Sequence, residues 1–172
     1  MPSVILSTAR LELRATEPED FDLLFTNVFS DERVMEHLSG SPLLLKDARA
    51  LFDTAFDHEG TGRKLGVLVE RSTRQVLGYA GLLECLALGE KDYELGFVLS
   101  QSSWGRGFAT EIGLAQVEYG FGSARCRRLL AQVAPKNVAS ASALRKIGMR
   151  FHSEYERAAR GIRHLYVRNR EA

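Results

Sequence analysis

The stretch Trp104-Gly105-Arg106-Gly107-Phe108-Ala109-Thr110-Glu111 lies between an alternating apolar run, Tyr93 to Leu99, and a periodic apolar run that continues to Phe121. A period of two, a glycine pair and then a helical period reads as strand, tight turn, helix. Glycine at 105 and 107 removes Cβ where a ligand can approach the backbone, and the free N–H groups of the helix start then point at that ligand. Such an end attracts anions. A bare Gly-x-Gly can also do no more than redirect the chain, so the surrounding residues must decide.

Upstream, Arg10 to Arg14 alternates polar and apolar, the mark of a half-buried strand. Thr16-Glu17-Pro18-Glu19-Asp20 supplies a capping residue, a proline and first-turn acids. Phe21, Leu24, Phe25 and Val28 then recur at helical spacing, which predicts a helix to Phe29 with Thr16 as its cap. Two further helices are expected over Asp31 to Leu38 and Lys46 to His58. From Lys64 to Leu83 the period changes to two around the polar turn Ser72-Thr73-Arg74, an antiparallel hairpin. The strand Asp92 to Leu99 turns Tyr93, Leu95, Phe97 and Leu99 to one face and Glu94, Gly96 and Val98 to the other.

After the glycine turn, Phe108, Ile112, Ala115 and Tyr119 form a stripe that Leu114, Val117 and Phe121 widen, leaving Glu111 and Glu118 toward water. Leu129 to Ala134 is a short strand stopped by Pro135. Asn137 caps a helix that Gly148 closes, and Phe151 to Tyr155 and Ile162 to Val167 supply a last hairpin. The expected fold class is α/β: a mixed, mostly antiparallel sheet of six to seven strands with helices on both faces, residues 1–172 forming one domain.

A net charge of +1, with 45% hydrophobic and 26% charged residues, gives no electrostatic reason for a nucleic-acid partner or an anionic membrane. No run approaches the roughly 20 apolar residues of a membrane span. Met1-Pro2-Ser3 leads into a strand-like segment rather than a charged n-region and apolar h-region, so a cytoplasmic location is expected. Cys85 and Cys126 stand apart with no histidine at ligand spacing, which predicts reduced thiols and no metal site.

Two motifs carry a resemblance. Trp104 to Glu111 resembles the acyl-CoA pyrophosphate loop of the GNAT superfamily of N-acetyltransferases, in the Trp-Gly-x-Gly-Phe-Ala-Thr-Glu form of the branch that includes ribosomal-protein N-terminal acetyltransferases. Trp104 stands where the wider superfamily has Gln or Arg. Asn137-Val138-Ala139-Ser140, continuing through Leu144, Lys146 and Gly148-Met149, is similar to the signature that follows the fifth strand in that branch.

The resemblance implies an acetyl-CoA-dependent transfer to an amine acceptor, with acetyl-CoA as co-substrate and no metal. It implies that Val98 and Leu99 offer backbone to the pantetheine arm. Amides from Gly105 through Arg106, Gly107 and Ala109 to Thr110 would hold the pyrophosphate, with the Arg106 side chain as a further phosphate contact. Asn137 would meet the arm near the thioester and Ser140 the departing thiolate. Glu94 is the candidate base, with Glu84, Glu154 and Glu156 as alternatives. His152 replaces a glutamate of the branch and reads as a solvent-facing strand residue. An oxyanion donor is expected at the backbone near Phe97 or Val98. Monomer and homodimer both remain open, as does a catalytically silent acyl-CoA-binding domain. A nucleotide-binding reading is weaker, since Gly105-Arg106-Gly107 lacks a third glycine and the Walker lysine and serine.

Overall fold

The computed structural model describes residues 1–171. Eight strands form one sheet in the order β1-β2-β3-β4-β5-β6-β8-β7. The strands are β1 (Val4–Ser7), β2 (Leu11–Arg14), β3 (Leu65–Glu70), β4 (Val76–Cys85), β5 (Asp92–Leu99), β6 (Arg128–Val133), β7 (Arg150–Arg157) and β8 (Gly161–Asn169). Among the strands of the described residues, only β5 and β6 run parallel. The expected mixed sheet is present, with β1 as an extra edge strand that pairs antiparallel with β2. Four short residues, three of them half-buried or exposed apolar, leave little periodic signal from which β1 could be read.

The helices are α1 (Asp20–Leu24), which continues as a wider π-helical turn over Phe25–Phe29, α2 (Glu32–Met35), α3 (Leu45–Ala55), α4 (Phe108–Phe121) and α5 (Val138–Lys146). One face of the sheet is covered by α1 to α3, whose Phe21, Phe29, Phe52 and Phe56 pack with Val67, Val69 and Tyr79. Each fully buried phenylalanine contributes about 1.5–3 kcal/mol. The opposite face holds α4 and α5, where Phe108 and Ile112 pack on Leu68 and Ala80, and Leu144 and Ile147 on Leu129 and Ala131.

Two local expectations are corrected. Thr16 does not cap α1: its hydroxyl is buried without a partner. The Glu17 amide donates instead to Asp20 at 2.8 Å, and Asp20 accepts two 2.8 Å bonds from the buried guanidinium of Arg14. A carboxylate next to a fixed guanidinium outcompetes a neutral hydroxyl for that amide. Leu114 is 47% exposed and lies off the α4 stripe. Gln116 takes an inward position, because its amide has carbonyls to bond there.

The expected end of α5 is realised. The Gly148 N–H donates to Arg145 and the Met149 N–H to Leu144, both at 3.0 Å, with Gly148 at φ +81°. This is the Schellman closure that favours glycine. Cys85 and Cys126 are free thiols, and among the described residues no His/Cys/Asp/Glu group is arranged to hold a metal ion. No helix of the described residues is long and apolar enough to cross a membrane.

Candidate active site

Strands β5 and β6 are joined only at their start, where Tyr93 pairs with Leu129 and Glu94 with Leu130. Beyond that point β6 stays with β8 and β5 stays with β4. The two parallel strands therefore splay, and a cleft of about 660 Å³ opens at the gap. Phe97, Val98 and Leu99 of β5, Arg33, Val34 and Glu36 to Leu38 of the α2 region, the glycine turn, and Asn137 and Ser140 of α5 line it.

The phase of the β4–β5 ladder decides which backbone groups face the gap. Ser100 N–H donates to Leu77 at 2.8 Å, so its alternate neighbours Val98 and Gly96 also turn N–H and C=O toward β4. Phe97 and Leu99 turn theirs toward the gap. The expectation for Val98 backbone is thus corrected: its backbone is engaged with Tyr79, and it offers the cleft a side chain. The Leu99 carbonyl accepts from Trp104 Nε1 at 2.8 Å, so the tryptophan ties the end of β5 to the glycine turn.

Gly105 and Gly107 adopt φ +71° and +79°. That left-handed backbone is one that β-branched residues rarely tolerate. A Cβ at Gly105 would meet nothing within 4 Å, and one at Gly107 only the Arg10 guanidinium at 3.4 Å. Among the described residues, none of the amides from Gly105 to Thr110 donates to a backbone or side-chain acceptor, the first such bond being Glu111 N–H to Gly107 at 3.1 Å. Six consecutive free donors at the positive end of a 14-residue helix form an anion-binding cradle.

The turn is braced from behind. Arg10 donates through Nη1 to the Arg106 carbonyl at 2.9 Å and through Nε to Glu111 at 2.7 Å. Burial opposes ionisation of Glu111, but the Thr8 hydroxyl and the Arg10 amide and guanidinium outweigh it and hold the carboxyl below its usual range. Glu111, expected toward water, is instead a fastening point. The Arg106 side chain turns out of the cleft to Glu70 at 2.5 Å and stacks over Phe108, 4.5 Å from the ring centroid. What Arg106 leaves facing the cradle is its amide.

On the other side of the gap, Asn137 Oδ1 accepts from the Ser140 N–H at 3.1 Å and caps α5. That bond leaves the Asn137 NH₂ and the Ser140 hydroxyl as unused polar groups on the cleft wall. The wall opposite is held by Asp31, which caps α2 through Arg33 and Val34 and accepts two 2.8 Å bonds from Gln101, just before the glycine turn.

Register separates the four candidate bases. Glu84 pairs with Tyr93 and so lies on the α4 side, where Lys91 neutralises it at 2.8 Å. Glu154 pairs with His164 and Glu156 with Ile162, on the face opposite to Arg163. Glu94 alone shares a face with Gly96 and Val98. Its side chain is 17% exposed and accepts from Gln132 at 3.1 Å, with Arg157 at 3.7 Å. Burial pushes its carboxyl up, against the opposing pull of Arg157, Arg160 and Arg163. A Cβ at Gly96 would meet nothing within 4 Å, so there is open room between Glu94 and Val98. His152 is exposed and bonded only to Ser153, as expected of a solvent-facing strand residue.

A family model described as Acetyltransferase (GNAT) domain matches residues 10–150, a span that contains the glycine turn and α5. The chain belongs to the GNAT family of acetyltransferases. It is 31% identical over 150 residues to the Bacillus subtilis protein YkkB, covering 85% of each chain. The GNAT-family acetyltransferase of Bacillus anthracis has the same fold, with a TM-score of 0.81 at 22% identity over 95% of this chain and 97% of that one. Spermidine N-acetyltransferase from Vibrio cholerae, solved in complex with CoA and spermine, aligns with a TM-score of 0.75 at 15% identity over 94% and 96%.

Two features of this GNAT site have no sequence motif. Gln116 Nε2, buried under the sheet, bonds the carbonyls of both Gly81 and Gly96 at 3.0 Å and so fixes the centre of β5 to α4. The β7–β8 hairpin brings Arg157 to 3.7 Å from Glu94 and Arg163 onto the same face, with Arg163 bonded to the Arg160 carbonyl at 3.1 Å. A glutamine within an apolar helical run was the available signal for the first; for the second, only the pairing of β7 with β8 brings the residues together.

Proposed function

We propose that this GNAT acetyltransferase moves an acetyl group from acetyl-CoA to a primary amine by direct attack. The observation that carries the reading is the pairing of six free amides at the glycine turn with a cleft opened by the β5–β6 splay. The pyrophosphate takes the amides of Gly105 to Thr110, and the pantetheine arm runs beside Phe97 and Leu99. The Asn137 NH₂ faces the arm near the thioester.

The amine approaches over Gly96 and gives up a proton toward Glu94 directly or through water, its own pKa being about 10 in solution. A raised carboxyl pKa suits Glu94 to accept that proton. The amine nitrogen then attacks the carbonyl carbon, and the oxyanion finds a donor in the Phe97 N–H at the open edge. The C–S bond breaks as the attached nitrogen gives up its second proton, and the thiolate, met by the Ser140 hydroxyl, takes up that proton, leaving an N-acetyl amine and free CoA. Kinship with the ribosomal-protein branch is supported by Trp104-Gly105-Arg106-Gly107-Phe108-Ala109-Thr110-Glu111, and a reducing, cytoplasmic setting by the two free cysteines.

The test is release of free thiol when acetyl-CoA is incubated with a panel of amines. Amine-dependent thiol with a matching N-acetyl product is expected. Tight acetyl-CoA binding without turnover on any amine would instead favour a silent acyl-CoA-binding domain.

A further inference from the structure

The face of β5 that carries Glu94, Gly96 and Val98 is unbalanced in charge. Register puts Arg157 and Arg163 on the Glu94 face, Arg157 lies 3.7 Å from the Glu94 carboxylate, and the Arg160 carbonyl accepts from Arg163 at 3.1 Å, while Asp92 on the same face is already paired with Arg128 at 2.7 Å. Glu84, Glu154 and Glu156 lie on the other face. Tyr79, pushed up to about 12 by burial, keeps its proton and adds no negative charge. Glu36 lines the cleft but is offset there by Arg33.

Two of the arginines are not used up by the fold. Arg163, the third, is 8% exposed and donates to the carbonyls of His37 at 2.7 Å, Leu38 at 2.9 Å and Arg160 at 3.1 Å, which seats it against the cleft wall. Its Nε is buried without a partner. Arg160 is exposed, and among the described residues its guanidinium has no hydrogen-bond partner. Arg157 has only long contacts, 3.4 Å to Gln132 and 3.7 Å to Glu94. Three guanidiniums around one carboxylate, one with a buried orphan donor, are a costly arrangement until an anion joins them. The open room above Gly96 lies on the same face.

We propose that the acceptor is an amine that also carries a carboxylate, with Arg160, helped by Arg157 and Arg163, holding the carboxylate while the amine lies over Gly96. This rests on the acetyl-transfer reading above. Guanidinium forks match carboxylates in shape as well as charge. A polyamine or aminoglycoside would bring cations to the same arginines and be repelled. The carboxylate has two sources, a free amino acid or the acidic side chain near the start of a peptide.

The experiment compares kcat/KM for amino acids with their amides, peptides with Asp or Glu at the second position with their Asn or Gln counterparts, and spermidine. Acetyl-CoA affinity is measured separately by calorimetry. We expect the acid of at least one pair to exceed its amide by about tenfold or more, the range of a charge-assisted hydrogen bond. The pair that shows the effect identifies the source. Arg160→Gln should bring that ratio toward one, mainly through KM, and Arg160→Lys should restore part of it; the exposed position keeps both variants foldable. Equal or better use of amides or spermidine, an acid-to-amide ratio unmoved in Arg160→Gln, or acetyl-CoA binding with no turnover of any acid overturns the proposal. Failure to bind acetyl-CoA overturns the acetyl-transfer reading and this proposal with it. Thiol release with neutral or cationic amines alone overturns only this one.

Discussion

Arg10 and Glu111 form a 2.7 Å ion pair that ties the start of β2 to the first turn of α4, and the same guanidinium bonds the Arg106 carbonyl at 2.9 Å. The glycine turn therefore does not hold its shape by its own backbone alone. It is propped by a residue almost a hundred positions away.

Glu111→Gln should weaken acetyl-CoA binding several-fold while costing about 1 kcal/mol or less of stability, since Arg10 is 47% exposed and water screens the pair. The carboxyl of Glu111 is depressed, so its contribution is present above the ordinary carboxylate pKa and is lost as pH falls through the lower folded value. Melting curves from neutral to acid pH should show a shallower acid loss in the variant. Identical acid limbs would mean that the pair does not brace the turn.

Gly107→Val should impair acetyl-CoA binding far more than folding. The position has φ +79° and a Cβ there would meet only the end of the flexible Arg10 side chain at 3.4 Å, so the folded protein loses little more than the left-handed backbone penalty, about 1–2 kcal/mol. The new side chain and the backbone shift it forces displace the Arg10 brace, so the free amides lose their fixed placement. Calorimetry beside thermal melting separates the two effects, and unchanged affinity would reduce the turn to a chain reversal.

Asn137→Ala and Ser140→Ala should behave differently. The first removes the 3.1 Å cap on the Ser140 amide and costs about 1 kcal/mol along with cofactor affinity. The second leaves the cap in place, alters stability by roughly 0.5 kcal/mol or less, and lowers kcat with little change in acetyl-CoA affinity, as expected of a contact made in the transition state. Full kcat in Ser140→Ala would remove the serine from the chemistry.

Gln116→Leu should destabilise by about 1–3 kcal/mol, because it takes away the amide that two buried carbonyls share. Since the same bonds hold Gly96 in place, turnover should fall further than the melting temperature alone accounts for. An unaltered kcat in a destabilised variant would confine Gln116 to packing.

Features written in local chemistry were legible in the sequence. Asn137 as a cap, Gly148 as a helix stop, the β5 alternation and the positive-φ glycines each depend on a few neighbouring residues. Features created by pairing between distant strands were not. The splay depends on β6 following β8 rather than β5, the ladder phase gives the gap to Phe97 and Leu99 instead of Val98, and the arginine group needs β7 and β8 folded back beside Glu94. Thr16 looked like a cap because Asp20, fixed by Arg14, was invisible as its competitor. Glu94 was one of four acids of similar appearance until the register placed three on the other face.

The most direct test of the site is an amide-resolved NMR titration with CoA. The account predicts that the largest shifts fall on Gly105 to Thr110, with a second set at Phe97 and Leu99, and that they saturate together. Shifts centred elsewhere, or none at millimolar CoA, would contradict it.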